Sequence, residues 1–406
     1  MLPTNLLKAS GIIALAMVFN LAACGGGGGG STADAPSGGG ADIMDPFLIR
    51  TALDLKDLSD RVNTGHEQTG RYYKLVNDID LSAYTSRNGS KDWTPIGRDF
   101  DYPFTGHFDG NGKTVSNLLI DDVGLNYVGL FGVIDGGTVE NLEIVGADIT
   151  GNEYVGGIAG VLGGGDIIGC SVTGKVIGGD SVGGVAGQVD DGGISNCYAA
   201  CDVNGVGNIG GVAGEVINNG GVSNSYATGA VSGEDSHVGG VAGYVDDGGI
   251  INSYSTGEVS GGNYVGGVAG FLGAGNVTAC AALNPAIERA SGSIGVNFGR
   301  VLGLNNSGVA QDDNVAFEDM KVLGAIISGP ASDENGADIS RSEAKLEVSY
   351  NSLGLNWAFG GASDPSDPFI PKSANPWRWG EANYPLPVLY WQTPAQIPVS
   401  LPGHLR

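Results

Sequence analysis

The sequence predicts an all-β chain wound as a right-handed parallel β-solenoid (β-helix) of about 27-residue coils. A helical cap is expected at its N-terminal end and an irregular aromatic cap at its C-terminal end. Three observations predict this. First, a Gly-rich string returns at near-constant spacing: Tyr127–Gly132, then Val155–Gly160, Val182–Gly187, Ile209–Gly214, Val238–Gly243 and Val265–Gly270, with a decayed copy at Ile294–Gly299. Counted from Val128, successive starts lie 27, 27, 27, 29, 27 and 29 residues apart, too short for a four-stranded propeller blade. Second, each interval alternates short β-type runs with Gly, Asp and Asn turns, as in Gly243-Tyr244-Val245, Asp246-Asp247-Gly248-Gly249 and Ile250–Tyr254. Third, no proline falls between Pro103 and Pro285, as expected where every strand donates to a ladder on both sides.

Residues 1–23 carry Lys8 and an apolar stretch from Gly11 to Phe19, too short to span a bilayer of roughly 30 Å as a helix, and read as an export leader. Its end, Leu21-Ala22-Ala23-Cys24, resembles the bacterial lipoprotein signal. That resemblance implies cleavage before Cys24 and lipid attachment at Cys24. Several acyl chains would then give stable anchoring where one alone is marginal. Gly25 stands where some inner-membrane lipoproteins have aspartate, so the expected location is the outer membrane; surface exposure is expected as well, although the lipoprotein signal is the same for both faces. The competing reading is a soluble secreted protein with an incidental Cys24. Residues 24–46 are mostly Gly, Ser, Ala and Asp, which cannot bury enough apolar area to offset ordering, and read as a lipidated flexible tether.

Residues 47–103 read as the N-terminal cap, with Ala52, Leu55, Leu58, Ser59 and Val62 forming the buried stripe of a helix. Residues 104–302 hold the solenoid repeats. There the aligned columns become ladders: Ile167, Ile194, Val222, Ile250 and Val277 read as core. Asn141, Asn196, Asn224 and Asn252 read as amides bonding from coil to coil. Residues 303–406 form the C-terminal cap region. Eleven of the 16 prolines lie from Pro285 onward, and four of the 5 tryptophans lie within the last 50 residues, which is why this cap is expected to be irregular and aromatic.

The charge balance narrows the partners. Cleavage before Cys24 removes one base and no acid, leaving 18 − 44 = −26 from the 19 bases and 44 acids of the whole chain. Such a field repels nucleic acid, anionic lipid and polyanionic glycans. Neutral glycans, cations and host or matrix proteins remain as partners, alongside the membrane reached through Cys24.

The repeats resemble the bacterial GLUG repeats, of which Val238-Gly239-Gly240-Val241-Ala242-Gly243 is a typical version. The likeness extends upstream through Tyr73–Leu81, Trp93–Gly97 and Phe104–Val115, and downstream to Tyr384–Tyr390. The resemblance implies a β-helical surface or secreted protein, adhesin-like or related to non-catalytic parts of zinc metallopeptidases that cleave immunoglobulin A1. Those peptidases carry His-Glu-x-x-His. Here His66-Glu67 continues Gln68-Thr69-Gly70, and the four histidines at 66, 107, 237 and 404 offer no pair one helical turn apart. No catalytic residue and no cofactor is therefore expected.

Candidate chemistry stands against plainer readings. Asp190-Asp191 and Asp246-Asp247 occupy one corner of different coils and are candidates for Ca²⁺, although Asp-Asp-Gly-Gly is also turn chemistry and Asn218-Asn219 interrupts the set. A glycosidase would need two carboxylates flanking one bond, which a repeated corner does not resemble. Cys170, Cys197 and Cys280 share a column with Ser225 and Ser253, while Cys201 falls elsewhere; an exported compartment leaves a Cys170–Cys197 disulfide open. Tyr198, Tyr226 and Tyr254 share a column that reads either as an outward stripe for sugar rings or as buried. Trp377, Trp379 and Trp391 read as cap core rather than a carbohydrate platform. The expected function is thus a non-catalytic, adhesin-like or ligand-interacting surface lipoprotein, with a carbohydrate-binding or carbohydrate-active protein and a structural envelope component as alternatives.

Overall fold

The computed structural model describes residues 39–406 apart from 67, 86–91, 310, 331–332, 353–354, 356, 358–376, 381–383, 390–391, 393–395 and 398–399. Cys24 and its leader, with Trp391, lie outside the described residues. The protein is a parallel β-solenoid of about eight turns and about 28 residues per coil. Its coils stack into one 28-stranded sheet that wraps most of the circumference and a 6-stranded sheet that closes the remaining side.

One coil shows how the sequence builds the rest. Asp180–Gly183 lies in the smaller sheet, Ala186–Ser195 and Tyr198–Gly205 in the larger one. Ser181, Asp191 and Asn196 take left-handed backbone at its corners, with φ of 54°, 53° and 54°. Asn and Asp tolerate that region, which is why they recur there. Ile194 pairs in register with Ile167 and Val222, and the ladder continues through Ile250 to Val277, all fully buried as expected. Of the predicted Asn ladder, Asn141, Asn196, Asn224 and Asn252 all hold left-handed corners. The Asn252 amide donates to Asn224 Oδ1 at 3.3 Å.

The glycines of the repeated string are demanded by close approach. A Cβ on Gly183 would lie 2.1 Å from the Ala186 carbonyl, one on Gly184 2.3 Å from Gly211 O, and one on Gly187 2.5 Å from Val155 N in the preceding coil. All three contacts are with backbone, so no side chain can move aside. The interior is consequently narrow and filled by Val, Ile and Ala.

The Cys and Ser column does a separate job. Beyond the left-handed corners at Gly169, Asn196, Asn224 and Ala279, one amide misses the strand ladder and is met by the next coil's side chain. Cys170 N donates to Cys197 Sγ at 3.3 Å, Cys197 N to Ser225 Oγ at 3.1 Å, Ser225 N to Ser253 Oγ at 3.2 Å and Cys280 N to Asn314 Oδ1 at 2.9 Å. Cys170, Cys197, Cys201 and Cys280 are free, buried thiols, so the open question of a Cys170–Cys197 bond resolves against the bond. Physically, the Cys197 sulfur accepts that amide while its thiol donates to Ser195 O and Ile167 O, a use a disulfide would remove.

At the N-terminal end the helix Ala52–Val62 forms as expected. Thr51 and Asp54 close a capping box, and Leu55, Leu58, Ser59 and Val62 are buried. Parallel stacking reaches past both boundaries drawn from the repeats. Phe47–Ile49 pairs with Tyr73–Leu75 and Tyr72–Lys74 pairs with His107–Asp109, while Val315–Phe317 and Ala337–Ile339 extend the ladder at the other end. Order also reaches into the segment read as tether. Gly40 is buried, donates to Asp45 O at 2.7 Å and accepts from Tyr72 N at 3.2 Å.

The C-terminal region departs most from the expected end cap. After the short helices Arg341–Ala344 and Glu347–Ser352 the described residues run back along a flank. The Trp357 indole donates to Ala279 O at 2.8 Å, Gln392 meets Tyr226, and the Gln396 amide donates to Glu143 Oε2 at 3.1 Å. This segment is a roof over several coils.

Candidate binding face

The roof decides the fate of the predicted tyrosine column. Tyr198, Tyr226 and Tyr254 pair in register, their rings stacked 5.3 and 4.7 Å apart with interplanar angles of 11° and 3°. Inward-facing Ala199 and Cys201 crowd Gly184, so alternation turns Tyr198 outward, where the C-terminal residues cover it. The Tyr226 hydroxyl donates to Gln392 Oε1 at 2.9 Å and the Tyr254 hydroxyl to Pro387 O at 2.7 Å. Trp377 packs 5.8 Å from Tyr254 and stacks on Trp357 at 4.8 Å. Burial pushes the Tyr198 phenol up to about 12, and those of Tyr226 and Tyr254 well above their ordinary value. These rings are closed to ligands, which overturns the sugar-stripe reading for this column. Trp377 is cap core as expected, and Trp379 packs against it.

A second aromatic column, which the sequence reading passed over, stays open on another flank. It occupies the left-handed position immediately before Val128, Val155, Val182, Ile209, Val238, Val265 and Phe298; strand register puts Phe298 opposite Val265, so the last copy of the repeated string begins there and not at the expected Ile294. The occupants are Tyr127 (φ 59°), Tyr154 (57°), Ser181 (54°), Asn208 (53°), His237 (59°), Tyr264 (52°) and Asn297 (66°). Bulky residues rarely sit there, and each such corner costs on the order of 1–3 kcal/mol. Beside it, in strand register, run Val161, Gln188, Glu215, Tyr244 and Phe271.

Together the two columns form a polar saddle between aromatic platforms. At one end Tyr127 and Tyr154 stack at 5.5 Å and 12°, with exposed Phe100 edge-on to Tyr127 at 5.3 Å. At the other, His237 stacks on Tyr264 at 5.1 Å and Tyr244 on Phe271 at 5.2 Å, while Tyr264 meets Phe271 edge-on at 5.8 Å. Between them the Gln188 amide donates to Glu215 Oε2 at 2.6 Å and the Asn208 amide to Glu215 Oε1 at 2.7 Å. The His237 Nδ1 lies 2.8 Å from Asn208 Oδ1. With the Asn208 amide facing Glu215, its carbonyl faces His237, so Nδ1 carries the proton and Nε2 is left as an acceptor. Burial holds the His237 imidazole below its ordinary value, against the pull of Asp235, and keeps it neutral at pH 7. Partial desolvation, then Glu215, Glu153 and Asp235, raise the Asp180 carboxyl above the usual range against the Ser181 amide. Tyr154, Gln188, Asn208, Glu215, His237, Tyr244, Tyr264 and Phe271 are all half-exposed.

The acids singled out for Ca²⁺ serve the corners. Asp191 and Asp247 are exposed left-handed turn residues, with φ of 53° and 55°. Asp190 Oδ1 accepts from the Asn218 amide at 2.9 Å and Asp246 Oδ1 from Ala274 N at 2.7 Å. Asp247 also edges a shallow trough of about 550 Å³ that includes Gly193, Gly221 and Gly249. Among the described residues no group of three or more His, Cys, Asp or Glu is arranged to hold a metal ion. The histidines are dispersed: His107 pairs with Glu140 at 2.9 Å, and His404 bonds to Leu283 O at 2.7 Å.

Comparison with known proteins places the repeats. The family profile described as the GLUG motif matches residues 151–177 and 235–260, one coil each. Halomucin of Haloquadratum walsbyi is 38% identical over 134 residues, covering 32% of this chain and 1% of that protein. A "Putative Gly-rich membrane protein" of Evansella cellulosilytica is 39% identical over 115 residues, covering 28% of this chain and 12% of that protein. The chain therefore spans a small part of these curated relatives. Among solved structures, a "putative immunoglobulin A1 protease" from Bacteroides ovatus superposes with a TM-score of 0.56 at 21% identity, over 87% of this chain and 95% of that one. The protein carries the GLUG motif on a β-solenoid and shares its fold with that structure.

Proposed function

We propose that the protein is a non-catalytic binding solenoid held at the cell surface by lipid on Cys24. The observation that carries this reading is how the outer wall uses its polar side chains. Asp246 meets the Ala274 amide, Asp202 the Ala230 amide, Asn218 meets Asp190 and Asn252 meets Asn224, each bond joining one coil to the next. Acids that recur in this way hold a scaffold in register, and the scaffold presents long, regular flanks to a partner. The Gly-rich segment after Cys24 supplies reach, and the mature net charge of −26 (18 − 44) turns away polyanions.

Protease shaving of intact cells, comparing wild type with Cys24→Ala, tests it. The wild-type chain is expected to be digested from intact cells, and the variant to leave the membrane fraction. Resistance of the wild type until the outer membrane is opened would replace surface binding with a periplasmic structural role.

A further inference from the structure

We propose that the open flank binds a neutral, hydroxyl-rich glycan chain laid along the solenoid axis from Tyr154 to Tyr264. The inference rests on the binding reading above and is independent of where the protein is anchored.

Backbone placement is the first argument. This left-handed position holds Ser181, Asn208 and Asn297 in three coils, small or amide residues suited to tight corners. In four others it holds Tyr127, Tyr154, His237 and Tyr264, with φ between 52° and 59°. Rings kept in a region they disfavour mark a place where the side chain is wanted for more than the turn. They stay half-exposed, unlike Tyr226 and Tyr254, which the chain covers with its own tail.

The second argument is the chemistry between the platforms. Gln188, Glu215, Asn208 and the His237 Nε2 offer donors and acceptors in a row. Sugar hydroxyls match such a row, and the apolar faces of pyranose rings match the stacked aromatics at either end. Four coil steps separate Tyr154 from Tyr264, roughly 19 Å at about 4.8 Å per step, the length of several linked rings rather than one small headgroup.

Charge selects within the class. Glu153, Asp180, Glu215 and Asp235 surround the saddle, and Lys175 is the only Lys or Arg in residues 114–288, where Asp148 pairs with it at 3.0 Å. Uronic-acid or sulfated chains would meet repulsion there.

Calorimetric titration of the full chain, purified as cells produce it, tests the site. Cellohexaose, chitohexaose, xylohexaose and mannohexaose serve as neutral probes, a heparin hexasaccharide as the anionic probe and choline chloride as the cationic one. Saturable binding of at least one neutral probe is expected. It should weaken about tenfold in each of Tyr154→Ala and Tyr264→Ala, the size typical of truncating an aromatic anchor. Tyr226→Phe, on the roofed flank, should leave affinity unchanged, and circular dichroism should show every variant folded. Glu215→Gln keeps the shape of the saddle and should shift affinity even if an alanine variant is unstable. Failure of all neutral probes up to about 10 mM overturns the proposal. So does binding that none of the saddle variants alters, or binding of heparin or choline alone. Surface exposure without glycan binding would sink this site and leave the surface reading standing; the converse result would do the opposite.

Discussion

On the roofed flank, Tyr198, Tyr226 and Tyr254 sit in strands, stack face to face and bond through Tyr226 and Tyr254 to the C-terminal residues. On the open flank, Tyr154 and Tyr264 hold left-handed positions that the parallel ladder skips within Glu153–Gly156 and Asn263–Gly266, stack on Tyr127 and His237 and stay half-exposed. Residue type and stacking are alike on the two sides. The difference teaches that a ring column on a solenoid has no fate of its own: it becomes core where distant chain covers it and a platform where none does.

The largest test of that contrast is Trp377→Ala. Trp377 is fully buried against Trp357, Tyr254 and Tyr226. Its loss should cost about 3–5 kcal/mol in urea unfolding and open the tyrosines to modification. A loss under about 1 kcal/mol would show that the roof does not seal that flank. Next, Tyr226→Phe leaves buried Gln392 short of a partner and should cost about 1–2 kcal/mol. Tyr154→Asn gives up one stacked ring but places an amide residue in a corner that suits it. It should stay within about 0.5 kcal/mol of wild type, and a cost as large as that of Tyr226→Phe would erase the distinction between the flanks.

The smallest effect is pH-dependent. The folded carboxyl of Asp180 holds its proton more tightly than the unfolded one. Stability is therefore lost as pH rises from the unfolded pKa through the raised folded one, and the penalty is constant above. Asp180→Asn keeps the acceptor for the Ser181 amide and should melt slightly higher than wild type at pH 7. That difference should vanish below about pH 3, where the carboxyl is protonated in both states. The gain is small because the group lies at an exposed rim.

Much of the coil was legible because its signals are local. The period of 27 to 29 aligned Ile167 with Ile194 and Val222, small residues marked the close-packed string, and the apolar spacing of the first helix gave its buried stripe. The roof was not, since the bonds that place it join residues 133, 166 and 253 positions apart and leave no periodic trace. The shared Cys and Ser column could be read as one set. Its task of accepting stray amides could not, because the need arises only from the Asn196-type corner beside it. The saddle left a usable signal: the position before each repeated string is Tyr or His in some coils and Asn or Ser in others, and alignment on that position would have isolated Tyr154, His237 and Tyr264.

Solenoids ordinarily gain and lose structure coil by coil, each turn answering only to its neighbours. Here Trp357, Gln392 and Gln396 reach the coils of Ala279, Tyr226 and Glu143, so these residues bolt distant turns to one another. Peeling from the C-terminal end must first break that bolt, which makes the coils between Glu143 and Ala279 behave as one cooperative unit instead of a zipper. The same geometry sets an order of events. Early coils can stack as they emerge, yet their tyrosine flank stays wet until the chain is finished, and completion of the tail becomes the step that confers resistance to unfolding.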